Sequence, residues 1–181
     1  MKRLIACSLL LLVGLGVGAQ TSFYELVGTG TPGQVLAAIK EGAEARQADR
    51  LGVTPLMAAA EKNPDPAVLL MLLAAGARIT DRDSIEETPL MYAAKSNPSP
   101  AAMKALLQEG ARIDDRDFFG QTALMLAACH TTNPEIVQLL LEAGADTRVK
   151  DNEGKTAFDL AAANGALRGS AAYHALARAA R

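Results

Sequence analysis

The sequence predicts an all-α solenoid of helix-turn-helix units, about five in number with a modified unit at each end, and three periodicities carry that prediction. The phrase Thr54-Pro55-Leu56-Met57 returns as Thr88-Pro89-Leu90-Met91, as Thr122-Ala123-Leu124-Met125 and, decayed, as Thr156-Ala157-Phe158-Asp159, at a constant step of 34 residues. Thr31-Pro32, Asp65-Pro66, Ser99-Pro100 and Asn133-Pro134 keep the same step, as do Gly42, Gly76, Gly110 and Gly144. A fixed period of this length means one supersecondary unit stacked several times, each burying its apolar face on its neighbours. Composition agrees. Half of the 181 residues are apolar but only 4% are aromatic and none is tryptophan, which suits thin helical layers better than a bulky α/β core.

Residues 1–19 read separately from the rest. Lys2 and Arg3 give a positive start, Leu4 to Val13 an apolar run, and Val17-Gly18-Ala19 a small-residue site before Gln20. This pattern predicts a secretory signal peptide cut after Ala19, and hence a periplasmic or secreted bacterial protein. The uncharged stretch Leu4 to Ala19 has 16 residues and three glycines, short of the roughly 18 that a spanning helix needs, so no membrane association is expected after cleavage. Leu4-Ile5-Ala6-Cys7 resembles a lipoprotein box, but its apolar run follows the cysteine instead of preceding it. Cleavage would leave 16 basic and 20 acidic residues, a formal charge of −4, which offers nucleic acid no attraction. Cys129 would be the one remaining thiol, leaving no internal disulfide framework.

The mature part, residues 20–181, divides into units at about 22–48 (an N-terminal cap), 49–82, 83–116, 117–150 and 151–181 (a C-terminal cap). In each full unit a threonine caps a short helix, and Leu56, Ala59 and Ala60 mark its buried side, as their counterparts do in the next two units. Asn63-Pro64 and Asn97-Pro98 read as turns. The second helix starts at a cap–proline pair, where proline's missing N–H costs nothing. Its apolar stripe is Val68, Leu69, Leu72 and Leu73 in one unit and Ile136, Val137, Leu140 and Leu141 in another. The glycine then closes the helix in a left-handed conformation. The last unit loses register near Asn164-Gly165, and Ser170 is expected to cap a final helix.

The phrases Thr-Pro-Leu-x-x-Ala-Ala and Leu-Leu-x-x-Gly-Ala, in registered copies with a polar linker between them, resemble the ankyrin repeat over about Ser22 to Arg181. The resemblance implies that each linker forms a β-hairpin or loop finger, that the first helices line a concave face, and that the second helices form the back. Two departures stand out. Met57, Met91 and Met125 occupy the position where the family usually carries a histidine that ties repeats together, so apolar packing is expected to replace that tie. The period of 34 instead of 33 places one extra residue near Asn63 to Asp65 and Asn97 to Ser99.

Three residues before each threonine stand Leu51, Ile85, Phe119 and Glu153, with Phe118 beside Phe119. On the fingers implied by the resemblance, these apolar side chains either anchor a partner or pack finger on finger. The variable positions after the alanine pairs, among them Glu61, Lys62, Lys95 and His130, would face the concave side, where variety marks either specificity or an unconstrained surface. The expected partner-contact set is Arg50, Leu51, Val53, Glu61, Lys62, Ile85, Glu87, Lys95, Phe118, Phe119, Gln121 and His130. Cys129 and His130 are adjacent on a helix and point about 100° apart, which does not make a catalytic pair. Asp49, Asp83, Asp117 and Asp151 share one register and are expected to cap turns. Glu44, Arg78, Arg112 and Asp146 share another and are expected to pair weakly across repeats.

No phosphate loop, metal-ligand spacing or nucleophile elbow appears, so neither catalytic residues, cofactor nor metal is expected. The function expected is a non-catalytic, exported protein-protein interaction module, monomeric, with Cys129 free for an intermolecular disulfide. It would protect, inhibit or position one protein partner. The alternative is a secreted effector or toxin-neutralising protein acting on a host or competitor.

Overall fold

The computed structural model describes residues 22–97 and 99–179. The signal-peptide assignment on residues 1–19 lies outside the described residues. The described residues form ten α-helices and no strands: α1 (Phe23–Thr29), α2 (Pro32–Lys40), α3 (Pro55–Lys62), α4 (Pro66–Ala74), α5 (Pro89–Ser96), α6 (Pro100–Gln108), α7 (Ala123–His130), α8 (Pro134–Glu142), α9 (Ala157–Ala161) and α10 (Ala171–Ala179). None of them is long and apolar enough to cross a membrane.

The repeated threonines cap as their spacing predicts. The hydroxyls of Thr54, Thr88, Thr122 and Thr156 accept the backbone N–H three residues on, opening α3, α5, α7 and α9. Thr31, Asp65 and Asn133 do the same service for α2, α4 and α8. Ser99 departs from the expectation and makes no side-chain cap bond. It shares an extended backbone with Asp65 and Asn133, with ψ of 115°, 110° and 105° respectively. In that backbone the longer carboxylate and amide oxygens reach two residues ahead, and the shorter hydroxyl does not. At the other end, Gly76 (φ 96°) closes α4 while the Ala77 N–H bonds back to Leu72 O at 2.9 Å, and Gly110 and Gly144 repeat this closure. Glycine takes the left-handed region there without the steric cost a side chain would add.

Two helical layers result. The odd-numbered helices pack in sequence, α1 on α3, α3 on α5, α5 on α7 and α7 on α9. Behind them α2, α4, α6, α8 and α10 do the same. Ala59, Ala60, Ala93, Ala94, Ala127 and Ala128 are buried in the first layer, where small side chains let the helices approach closely. Val68, Leu69, Leu72, Ile136, Val137 and Leu140 fill the space between the layers. At about 25 cal/mol per Å² of apolar surface, this shared burial is the main stabilising term.

The methionines depart in part from the expected role. Met57, Met91 and Met125 are buried, but the Met57 and Met91 sulfurs also accept the N–H of Thr54 and Thr88, each at 3.4 Å. The polar tie between repeats comes instead from three asparagines, two of them, Asn63 and Asn97, in the pairs read as turns. The Asn63 amide donates to Val27 O (2.8 Å) and Gly30 O (3.0 Å). Asn97 donates to Ala60 O and Asn63 O, and Asn164 to Ala128 O and Thr131 O. The cause is local. Pro64 has no N–H to offer the carbonyl four residues back, so Ala60 O is free to accept from the next repeat.

Candidate functional site

Each linker ends in a finger whose shape is set by one aspartate. Asp83 Oδ1 accepts the N–H groups of Ile85 and Glu87, both at 2.9 Å, while the Asp83 N–H donates to Glu87 O. Asp49, Asp117 and Asp151 repeat the pattern, so these acids cap turns as their register suggests. The fingers are turns closed by two backbone hydrogen bonds, in the second finger Asp83 N–H to Glu87 O (3.1 Å) and Glu86 N–H to Asp83 O (3.0 Å). Neighbouring fingers are joined side by side: Ser84 N–H donates to Leu51 O, Phe118 N–H to Ile85 O and Asn152 N–H to Phe119 O, at 2.8–3.0 Å. Arg82 and Arg116 reinforce the row by donating to Arg116 O and Lys150 O in the next finger. At Gly120 (φ 78°) a side chain would be strained in the left-handed region and its Cβ would displace Asn152 Oδ1 and the Arg116 guanidinium, both 2.6 Å away, so the third finger favours glycine.

The tips of this row are apolar and open to solvent. Leu51 is 63% exposed, Ile85 37%, Phe118 68% and Phe119 52%, and the two phenyl rings meet edge to face with centroids 5.5 Å apart. The backbone holds finger to finger, while these side chains keep much of their surface in water. Arg50, Lys62 and His130 are also exposed, and Val53, Glu61, Lys95 and Gln121 are half-buried. Glu87 is the exception among the expected contact residues. It is 3% exposed, and both carboxylate oxygens are held by Lys95 Nζ at 2.7 and 2.8 Å, so its charge is spent inside the protein.

One residue absent from the expected set organises this face. The Tyr92 hydroxyl donates to Asp83 Oδ2 at 2.8 Å, and the Lys95 ammonium lies 5.4 Å from the centre of the Tyr92 ring. Burial, followed by the Asp83 hydrogen bond and the nearby carboxylates, pushes the Tyr92 phenol far above its ordinary value of 10.0. Its signal in the sequence is that Ala58, Leu126 and Leu160 stand where it does in the other repeats. The expected pairing of Glu44, Arg78, Arg112 and Asp146 is not what forms. Arg112 meets Asp115 and Asp146 meets Arg148, because shorter, local partners lie within reach. The pair that does cross repeats is Arg82–Asp115, at 3.0 Å. Cys129 is half-buried.

Paired helices at a 34-residue step, glycine-closed second helices and a row of linked fingers define the repeated unit. A family model described as "Ankyrin repeats (3 copies)" matches residues 27–117 and 90–171, which together span most of the chain. The chain belongs to the ankyrin-repeat family. Ankyrin repeats are generally protein-protein interaction modules and typically non-catalytic, which points to a protein partner for this chain. No curated protein matches it significantly.

Proposed function

We propose that this ankyrin-repeat protein is an exported binding module that holds one protein partner against its finger tips and the adjoining inner-helix face. The observation that carries the proposal is the row of exposed apolar tips, Leu51, Ile85, Phe118 and Phe119, on a backbone fixed by finger-to-finger hydrogen bonds. Large apolar side chains held rigidly in water lose little conformational freedom on docking, and exposed aromatics are the residue type that dominates interface energies. Arg50 on the first finger, Glu61 and Lys62 at the end of α3 and His130 at the end of α7 would supply the polar part of that contact surface. Export rests on the charged start, apolar run and small-residue site in residues 1–19, and the periplasm is the compartment we infer.

The test is photo-crosslinking from position 119 in cells of the source organism, together with fractionation. A single predominant adduct, diminished by Phe118→Ser with Leu51→Ser, is expected from the periplasmic fraction. A protein recovered from the cytoplasm, or crosslinking with no predominant adduct, overturns the proposal. Recovery from the medium replaces the periplasm by secretion.

A further inference from the structure

The second and third fingers differ at one oxygen. In the second, both oxygens of the aspartate are used: Asp83 Oδ1 accepts two backbone N–H groups and Oδ2 accepts the Tyr92 hydroxyl. In the third, Asp117 Oδ1 accepts the N–H groups of Phe119 (2.9 Å) and Gln121 (2.7 Å), but the residue one repeat on from Tyr92 is Leu126, which has no hydroxyl. Asp117 Oδ2 therefore has no hydrogen-bond donor among the described residues, although Asp117 is only 7% exposed. Among the described residues no fully buried side-chain oxygen lacks a partner, so this oxygen is not wholly enclosed. It lies on the finger that carries Phe118 and Phe119.

The local charge is unbalanced in one direction. Asp83, Glu87 and Asp117 lie around Lys95, and both Glu87 oxygens already hold that ammonium. Three carboxylates stand against Lys95 and the Arg116 guanidinium, which lies over the third finger and donates to Lys150 O, so the neighbourhood keeps a net negative charge. Burial raises the Asp117 carboxyl above its ordinary range, more than its two backbone bonds and Lys95 lower it. Its ionised form is thus under-compensated in the free protein.

Building on the proposed function, we infer that the partner places an arginine side chain on Asp117 Oδ2, beside an apolar residue seated on Phe118 and Phe119. A cation meets the unfilled acceptor and the negative surroundings. Arginine suits the place better than lysine because its flat, weakly hydrated guanidinium stacks on exposed phenyl rings while it donates to a carboxylate. The segment recognised is thus apolar and basic, with arginine flanked by aliphatic residues.

The test uses the mature chain labelled with ¹⁵N and two probes, the N-acetylated, C-amidated tripeptides Leu-Arg-Leu and Leu-citrulline-Leu. Citrulline keeps the shape of arginine and removes its charge. The arginine peptide is expected to shift the amides of Phe118, Phe119 and Gln121 and to bind roughly fivefold or more tightly than the citrulline peptide. Asp117→Asn keeps an oxygen for the two backbone bonds and is expected to erase that difference. Leu126→Tyr supplies a hydroxyl as Tyr92 does and is expected to erase it by another route, so the inference stays testable should either variant fold poorly. Equal affinity for the two peptides, or an unchanged preference in both variants, overturns the inference. Crosslinking from position 119 separates the two proposals. A partner captured equally well by wild type and Asp117→Asn leaves the binding module standing and removes the arginine contact, whereas no partner at all removes both.

Discussion

The side-chain amide of Asn97 spans the boundary between two repeats, donating to the carbonyl of Asn63 at 2.9 Å and to that of Ala60 at 2.8 Å. Asn97 is 2% exposed, so neither carbonyl exchanges this donor for water at little cost. Asn97→Ala is expected to lower stability by about 2–3 kcal/mol, the magnitude for stranding buried polar groups. Urea unfolding monitored by helical circular dichroism measures this, and a loss below about 0.5 kcal/mol would show that the amide ties nothing.

Glu86 is the one described residue other than glycine with a positive φ, 66°, where the other fingers place Gly52, Gly120 and Gly154. Glu86→Gly should relieve left-handed strain, and its expected net gain is about 1 kcal/mol after glycine's greater unfolded-state freedom is subtracted. The exposed Arg82–Glu86 contact it removes, at 3.6 Å, contributes little. A thermal melt decides the sign, and a lower midpoint refutes the strain.

Removing Lys95 leaves the Glu87 carboxylate buried without its partner. Lys95→Met is therefore expected to cost about 2–3 kcal/mol, and adding Glu87→Leu should recover most of that loss. A double-mutant cycle in urea tests it. Losses that simply add would mean that the 2.7 Å contact carries no coupling.

Two aspartates should give stability slopes of opposite sign in acid. Asp159 Oδ2 accepts the Thr156 N–H and hydroxyl at 2.8 and 2.7 Å, which hold its carboxyl below the ordinary 3.8. Its stabilisation is present above the unfolded value and is lost as pH falls through the lower folded one. Burial raises Asp117 instead, so between 3.8 and its raised folded value the fold gains stability as pH falls. Melting midpoints at about pH 2 to 6 should therefore drop less steeply in Asp159→Asn than in wild type, and more steeply in Asp117→Asn. Parallel curves for all three proteins would contradict both assignments.

Most of the scaffold is legible in the sequence because its causes are local. A threonine three residues before a buried methionine, or a glycine ten residues after a proline, acts within one turn of helix. The aspartate turns are legible for the same reason, since Asp83 Oδ1 reaches only to residues 85 and 87. What escapes sequence reading depends on a neighbour beyond the local turn, 33 and 36 residues away for Asn63 and 8 for Glu87. Asn63 looks like a turn former until the carbonyls of Val27 and Gly30 lie beside it, and Glu87 looks like a surface charge until Lys95 folds over it. The open oxygen of Asp117 is hidden for a further reason. It shows only when Leu126 is compared with Tyr92 one repeat earlier, after Tyr92 has been seen to bond Asp83.

The asparagine amides, the finger-to-finger bonds and the arginine contacts all reach one repeat back or forward, and no described hydrogen bond reaches two. The protein's length is therefore adjustable in whole steps. A 34-residue block such as 83–116 removed in register would bring Asp117 and Asn133 to the junction that Asp83 and Ser99 form now, and the one tie to restore would be the amide of Asn97, whose place Thr131 would take beside Ala60 O and Asn63 O. Duplicating that block would add another tip to the row. A lineage could in this way lengthen or shorten its contact surface by recombination, with few packed side chains to redesign.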